Sequence, residues 1–242
     1  MSEDMDSGIL YLIATPIGNL EDISLRAINI LKKVEIIAAE DTRHALILLN
    51  RYEIRKTLVS YYEENEIRRS QELIGKLLAG QSVALITDAG TPLLSDPGYQ
   101  IVRKAIENDV QVVPIPGASA ILTALTGSGL PTDRFTFEGF LPRKKGRTTR
   151  LKELAIESRT MVFFESPHRV VKTLSDFLEY FGDRPAVSAR EMTKIYEEFR
   201  RDPLSRLIEY FTDHQPKGEF VIVVQGNEQK RDRKSRYKAE TE

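Results

Sequence analysis

The chain has 242 residues, 41% hydrophobic and 29% charged, enough to bury one large core or two smaller ones. Its 35 Lys and Arg against 36 Asp and Glu leave a net charge of -1, so any binding to nucleic acid must come from local patches. Cysteine is absent, which excludes disulfides, thiolate zinc sites and cysteine nucleophiles; His44, His168 and His214 are widely spaced, and no metal is expected.

The N-terminal M-S-E-D-M-D-S is acidic, and the apolar run Ile9 to Ala14 is short of a signal-peptide core. No stretch approaches 18 apolar residues, so neither a membrane span nor export is expected and the location reads as cytoplasmic. Ile9 to Ala14 reads as a strand, followed by the turn Thr15-Pro16-Ile17-Gly18-Asn19. Ser24 to Lys33 predicts a helix, Val34 to Ala39 a strand, Thr42 to Arg51 a helix and Thr57 to Ser60 a short strand. Asn65 to Ala79 is an amphipathic helix with Ile67, Leu73, Ile74, Leu77 and Leu78 on its apolar face. Val83 to Ile86 is a buried strand that runs into a glycine- and proline-rich loop ending at Gly98; a helix from Tyr99 to Glu107 and a strand from Val110 to Ile115 follow. Alternating strands and helices imply a largely parallel sheet covered on both faces.

Beyond Pro116-Gly117, Ala118 to Leu125 reads as a small-residue helix and Thr126 to Pro131 as a linker. Less regular strands follow at Arg134 to Phe140, Thr160 to Glu165, Ala186 to Arg190, Tyr196 to Arg200 and Glu219 to Gln225, with helices at Arg169 to Phe181 and Leu204 to Phe211. The expected division is an N-terminal α/β domain over 8–118, a C-terminal α/β domain with a mixed sheet over 119–226, and flexible tails at 1–7 and 227–242. The basic C-terminal tail reads either as a solvated end or as a weak polyanion-binding arm.

The P-loop, the G-x-G-x-x-G fingerprint and the G-x-S-x-G elbow are all missing. Candidate chemistry gathers instead after strands, at Thr15–Asn19, Glu40–His44, Asp88–Pro92 and Pro116–Ser119. In a parallel sheet these loops share one edge, where open α/β folds bind ligands. Asp41 or Thr42 also suits a helix cap, a role that would leave Arg43 and His44 unexplained. In the second half, Glu165–Arg169 and Ala189–Lys194 end strands, and Lys217–Glu219 precedes one; a structural salt-bridge network is the competing reading. Pro142 to Arg150 holds Arg143, Lys144, Lys145, Arg147 and Arg150 with no acid, and follows a strand bearing Phe135, Phe137 and Phe140. It is the strongest local basic patch and suits phosphate contacts.

Taken in order, T-P-I-G-N-L (15–20), A-E-D-T-R (39–43), D-A-G-T-P (88–92), D-P-G (96–98), P-G (116–117), E-G-F-L-P (138–142), E-S-P-H-R (165–169), A-R-E with T-K (189–194) and K-G-E (217–219) resemble the small-subunit ribosomal RNA methyltransferase I family. That family belongs to the tetrapyrrole methylase (class III methyltransferase) superfamily, and the resemblance covers roughly residues 8–226. It implies two α/β domains with the cofactor in the interdomain cleft, S-adenosylmethionine as cofactor, and a homodimer. The implied reaction is 2′-O-methylation of a decoding-region cytidine in 16S rRNA within the small ribosomal subunit. By the same resemblance Pro16, Ile17, Asp88, Ala89, Gly90, Thr91, Leu93, Leu94, Ser119, Ala120, Phe164, Ala189 and Gly218 would contact the cofactor. Candidates for base or charge-stabilising roles are Glu191, Lys194, Asp41 and His44, with His168 a further option. Arg43, Arg143, Lys144, Lys145, Arg147, Arg150, Arg169 and Arg190 are the candidate RNA contacts. The rival readings are a related methyltransferase acting on a small molecule or a diphthamide precursor, and a non-catalytic ribosome-binding factor.

Overall fold

The short apolar runs of the first half become strands, of which Ile36–Ala39 and Val83–Ile86 are buried on both faces. A computed structural model describes residues 7–227 and divides them into two units between Ser119 and Ala120. In the first unit β1 (Leu10–Ile13), β2 (Ile36–Ala39), β3 (Thr57–Ser60), β4 (Val83–Ile86) and β5 (Val112–Ile115) form a sheet ordered β3-β2-β4-β1-β5, every pair parallel. Side chains alternate across it. Ile37, Ala39, Ala84 and Ile86 pack with α1 (Leu25–Lys33) and α2 (Thr42–Arg51). Ile36, Ala38, Val83 and Leu85 pack with α3 (Glu66–Leu78) and α4 (Tyr99–Glu107). Pro114 lacks the N–H an inner strand needs, and it is tolerated because β5 lies at the edge.

The connections leaving β1 and β2 run over one face, and the one leaving β4 runs over the other. Because β4 lies between β1 and β2, its carboxyl end is the point where neighbouring loops part, the position at which open α/β sheets form a crevice. Glu66 of α3 fixes the far side of this loop. Its Oε1 accepts the N–H groups of Gly98 and Gln100, both at 3.0 Å, and the Tyr61 hydroxyl at 3.1 Å. Two otherwise orphaned donors at the start of α4 are thereby satisfied.

The second unit opens with α5 (Ala120–Ser128) and holds a mixed sheet ordered β6-β7-β10-β8-β9. Its strands are β6 (Phe135–Phe140), β7 (Thr160–Glu165), β8 (Pro185–Arg190), β9 (Glu198–Pro203) and β10 (Phe220–Val224). Met161, Phe163, Ala186, Phe220, Ile222 and Val224 line one face and pack with α6 (Arg147–Leu154), α7 (Val170–Phe181) and α8 (Leu204–Asp213). α5 packs against β8, β9 and β10.

The structure corrects three expectations. Thr126 to Ser128 belong to α5 rather than to a linker: a Cβ on Gly127 would lie 2.5 Å from the Phe199 ring, and the Gly127 carbonyl accepts from Arg201. The basic segment Pro142 to Arg150 is not one continuous patch, because α6 begins at Arg147 and buries that side chain. The strand expected from Tyr196 starts at Glu198, since Glu191 and Thr193 take positive φ and prolong the turn. Residues 1–6 and 228–242 of the expected tails lie outside the described residues. Asn227 is tied down, its N–H donating to the Glu157 carbonyl at 2.6 Å.

Candidate active site at the carboxyl edge

The loops that follow β1, β2, β4 and β5 meet at one edge of the first unit, held by short bonds between chain segments far apart in sequence. Thr15 and Gly90 exchange both backbone bonds, at 2.9 and 3.0 Å, and the Thr15 hydroxyl donates to the Thr87 carbonyl at 3.0 Å. The Asp41 N–H donates to Asp88 Oδ1 at 3.1 Å, and the Thr87 hydroxyl to Glu40 Oε2 at 2.9 Å. The Thr91 hydroxyl donates to the Ala118 carbonyl at 3.2 Å. Gly90 holds φ +81°, a backbone conformation that favours glycine, and packs at van der Waals distance from Ile17. Leu93 and Ser95 also take positive φ, the kind of strain that collects at ligand sites.

The charges here are acidic. Burial pushes the Asp96 carboxyl up to about 6; the nearby Glu40 and Asp88 charges add to this, while the Thr87 hydroxyl acts in the opposite direction. Asp96 belongs to the D-P-G motif but not to the expected cofactor contacts, and Thr87 is marked in the sequence only by its place directly after a buried strand. A carboxyl with a folded pKa above its unfolded value binds more protons in the native state, so its effect on stability is favourable at low pH and is lost as pH rises from about 4 through about 6. Asp96→Asn is therefore expected to match the wild type near pH 4 and to gain on the order of 1 kcal/mol by pH 7.5, solvent screening discounted. Urea titrations at the two pH values check it.

Other residues of the first unit take definite places. Asp41 caps α2 through the Arg43 N–H at 2.8 Å and pairs with the Arg43 guanidinium at 2.7 Å, which holds its carboxyl down at about 2. Arg43 itself is 89% exposed at the side chain. His44 lines a cavity of about 40 Å³ with Pro16, Leu20, Thr87 and Asp88, no larger than one or two waters. A wider groove along Leu46, Asn50, Ile54 and Lys56 lies at the amino end of β3, away from this edge.

In the second unit, Lys194 Nζ is held between Glu191 Oε1 at 3.1 Å and Glu219 Oε2 at 3.0 Å. Burial opposes the ammonium, but Glu219 and Glu191 outweigh it and raise its pKa. Burial likewise opposes ionised Glu191, but the Glu219 N–H and Lys194 hold it below the usual range. Gly218 is required here, since a Cβ would sit 2.5 Å from the Glu191 carboxyl. Ala189, expected at the cofactor, is wholly buried within β8 between β9 and β10 and offers a ligand no side-chain surface. Phe164 is half-buried, with Phe137 and Phe140 edge-on to its ring.

The expected RNA contacts separate into exposed and buried groups. Arg143, Lys144 and Lys145 are exposed. Arg147 is only 6% exposed: it binds Asp176 at 2.7 Å, Thr173 at 2.9 Å and the Pro142 carbonyl at 3.1 Å. Arg169 pairs with buried Glu165 at 3.3 Å and donates to the Leu141 carbonyl at 2.8 Å. Arg150 is engaged by Glu138 and Glu153, and Arg190 lies 3.3 Å from Glu198. Arg147 is thus a structural cation, too enclosed to meet RNA, and Arg169 is largely committed to the protein.

Comparison with known proteins agrees with this architecture. Residues 9–208 match the sequence model of the Tetrapyrrole (Corrin/Porphyrin) Methylases. The chain is 50% identical over 221 residues to the ribosomal RNA small subunit methyltransferase I of Synechocystis sp., covering 90% of this chain and 79% of that one. It is 47% identical to the protein of the same name from Thermotoga maritima, covering 91% of this chain and all of the other. Among solved structures, a diphthine synthase superposes with a TM-score of 0.70 at 17% identity, covering 90% of each chain. The Thermus thermophilus uroporphyrin-III C-methyltransferase complexed with S-adenyl homocysteine superposes with a TM-score of 0.64 at 18% identity, covering 90% and 97%. The chain has the tetrapyrrole methylase fold and belongs to that family, within its ribosomal RNA small subunit methyltransferase I branch.

Proposed function

We propose that this chain transfers a methyl group from S-adenosylmethionine to the ribose 2′-hydroxyl of a decoding-region cytidine in 16S rRNA. The observation that carries the reading is the bonded cluster of loops around Asp88–Gly98, in a chain half identical to proteins named as small-subunit rRNA methyltransferases. The residues at this edge fit the cofactor. Its sulfonium and ammonium are cations, and Asp88, Asp96 and Glu40 form an acidic cluster. Its length requires close backbone approach, which Gly90 and the small residues Ala89, Thr91 and Ser119 permit. Pro16, Ile17, Leu93 and Leu94 supply apolar surface for the adenosine.

When bound, S-adenosylmethionine supplies an electrophilic methyl group on sulfur. The protein must then hold the ribose oxygen in line with it and take up or stabilise the charge that develops. Asp41 is committed to Arg43, and Glu191 to Lys194 and the Glu219 N–H, so neither is poised as a base near neutral pH. Lys194, kept as an ammonium, suits stabilisation of an oxygen anion. His44, exposed beside Thr87 and Asp88, is the residue proposed to accept the proton. Arg43, Arg143, Lys144 and Lys145 are the proposed phosphate contacts. The reading implies a cytoplasmic enzyme, working as a homodimer on the small subunit.

Incubating the purified chain with S-adenosylmethionine and small subunits from cells lacking the gene should restore 2′-O-methylcytidine, read by mass spectrometry of 16S rRNA nucleosides. Subunits that already carry the modification in those cells, or that gain none, refute the proposal.

A further inference from the structure

An aromatic ring lies open to solvent beside the exposed cations of the second unit. β6 pairs with β7 through Phe137 opposite Val162, then Gly139 opposite Phe163 and Phe140 opposite Phe164, so Glu138 is the extra residue of a bulge. Gly139 takes φ +59° within it. Without the bulge, residues 137 and 140 would point to opposite faces. With it, both rings meet Phe164 edge-on, at 4.9 and 5.6 Å between centroids. Phe140 nevertheless stays 55% exposed.

The segment that follows is held rigidly. Leu141 is buried in the core, Arg169 binds its carbonyl at 2.8 Å, and Arg147 binds the Pro142 carbonyl at 3.1 Å. These two arginines, expected at the RNA, serve instead to fix the backbone between Phe140 and Arg143. Arg143, Lys144 and Lys145 then project into solvent with no ion pair among the described residues, and 141–152 contains no acid. The neighbouring Glu138 carboxylate is neutralised by Arg150.

We infer that Phe140 is a stacking platform for one unpaired RNA base, with Arg143, Lys144 and Lys145 holding the flanking phosphates. The inference deepens the rRNA reading given above and rests on it for the identity of the nucleic acid. Charge complementarity selects a polyanion, and the open ring beside it selects one whose bases are unstacked, because aromatic stacking and backbone cations together are how proteins grip single strands. A duplex would present phosphates but no free base face. A pre-organised platform also loses little entropy on binding.

The chain has no tryptophan, so Phe140→Trp places a lone indole at the platform, which can be excited selectively over the tyrosines. With the full chain, a labelled 12-nucleotide single-stranded RNA and its duplex at fixed salt, three results are expected. Phe140→Ala should weaken single-strand binding roughly tenfold and leave duplex binding unchanged. Phe140→Trp should retain affinity, and its emission should be quenched by the single strand and not by the duplex. Replacing Arg143, Lys144 and Lys145 together by Ala should weaken both ligands and flatten the salt dependence. Circular dichroism identical to wild type shows that each variant is folded. Wild-type single-strand affinity in Phe140→Ala, or unmoved emission in Phe140→Trp while anisotropy reports binding, overturns the inference. So does a change in sedimentation of Phe140→Ala without a change in RNA binding, which would assign the ring to a protein contact. Failure to methylate small subunits while the quenching persists would remove the proposed reaction and leave the platform standing; the converse would remove only the platform.

Discussion

Arg147→Ala is expected to destabilise the protein by about 3–5 kcal/mol, as removal of one partner from a buried ion pair does. The guanidinium and the Asp176 carboxylate are only 8% and 15% exposed at their side chains. Truncation leaves that carboxylate with only the exposed Lys172 ammonium at 3.3 Å, deprives Thr173 of a donor and frees the Pro142 carbonyl. Thr173 in turn donates to Glu165 at 2.6 Å, so the loss reaches the carboxyl end of β7. The double variant R147M/D176L should regain much of the loss, since the penalty lies in a lone buried charge more than in a missing attraction. Lys144→Ala, a few residues earlier and exposed, should stay within about 0.5 kcal/mol of wild type. Urea unfolding followed by circular dichroism separates these outcomes, and equal stability of R147A and K144A would contradict the assignment of Arg147 as structural.

Gly98→Ala is expected to cost about 2–4 kcal/mol and to weaken cofactor binding at least tenfold. Gly98 holds φ +143° and ψ −16°, a region closed to side-chain-bearing residues. A Cβ there would meet Leu93 at 2.7 Å and Leu85 at 3.0 Å, adding overpacking to the backbone strain. The loop from Asp88 would have to move, and the Gly98 N–H would move off Glu66. Gly146→Ala is the control: its φ is +83°, and nothing lies within 4 Å of the added Cβ. That variant should lose about 1 kcal/mol, with cofactor affinity intact. Thermal shifts with and without S-adenosylmethionine measure both quantities.

Much of the first unit was legible because its strands are short apolar runs closed by glycine, proline or acids, and its helices carry apolar residues at helical spacing. The gathering of the loops at Thr15, Glu40, Asp88 and Pro116 followed from parallel pairing alone, and their cross-bonds bear it out. α6 was not legible. Its stretch R-T-T-R-L-K-E-L offers only two apolar residues, Leu151 and Leu154, and its third buried side chain is Arg147, whose environment a run of cations does not disclose. The turn before β9 was missed because Glu191 and Thr193 adopt positive φ without glycine, held by tertiary bonds such as that of Glu191 to the Glu219 N–H. Gly127 reads as part of a linker because sequence does not reveal that its missing side chain makes room for Phe199.

The sheet of the second unit carries a consequence for the order in which the chain folds. Its central strand, β10, is the last in sequence, and it joins β7 on one side to β8 on the other. During synthesis the first unit has all its strands long before β10 emerges, so it can close early and alone. Until Phe220–Val224 emerge, β7 and β8 each lack the neighbour that covers their inner edge in the finished sheet. A premature stop before Phe220 would therefore remove the strand that joins the two halves of the sheet and leave the inner edges of β7 and β8 unpaired.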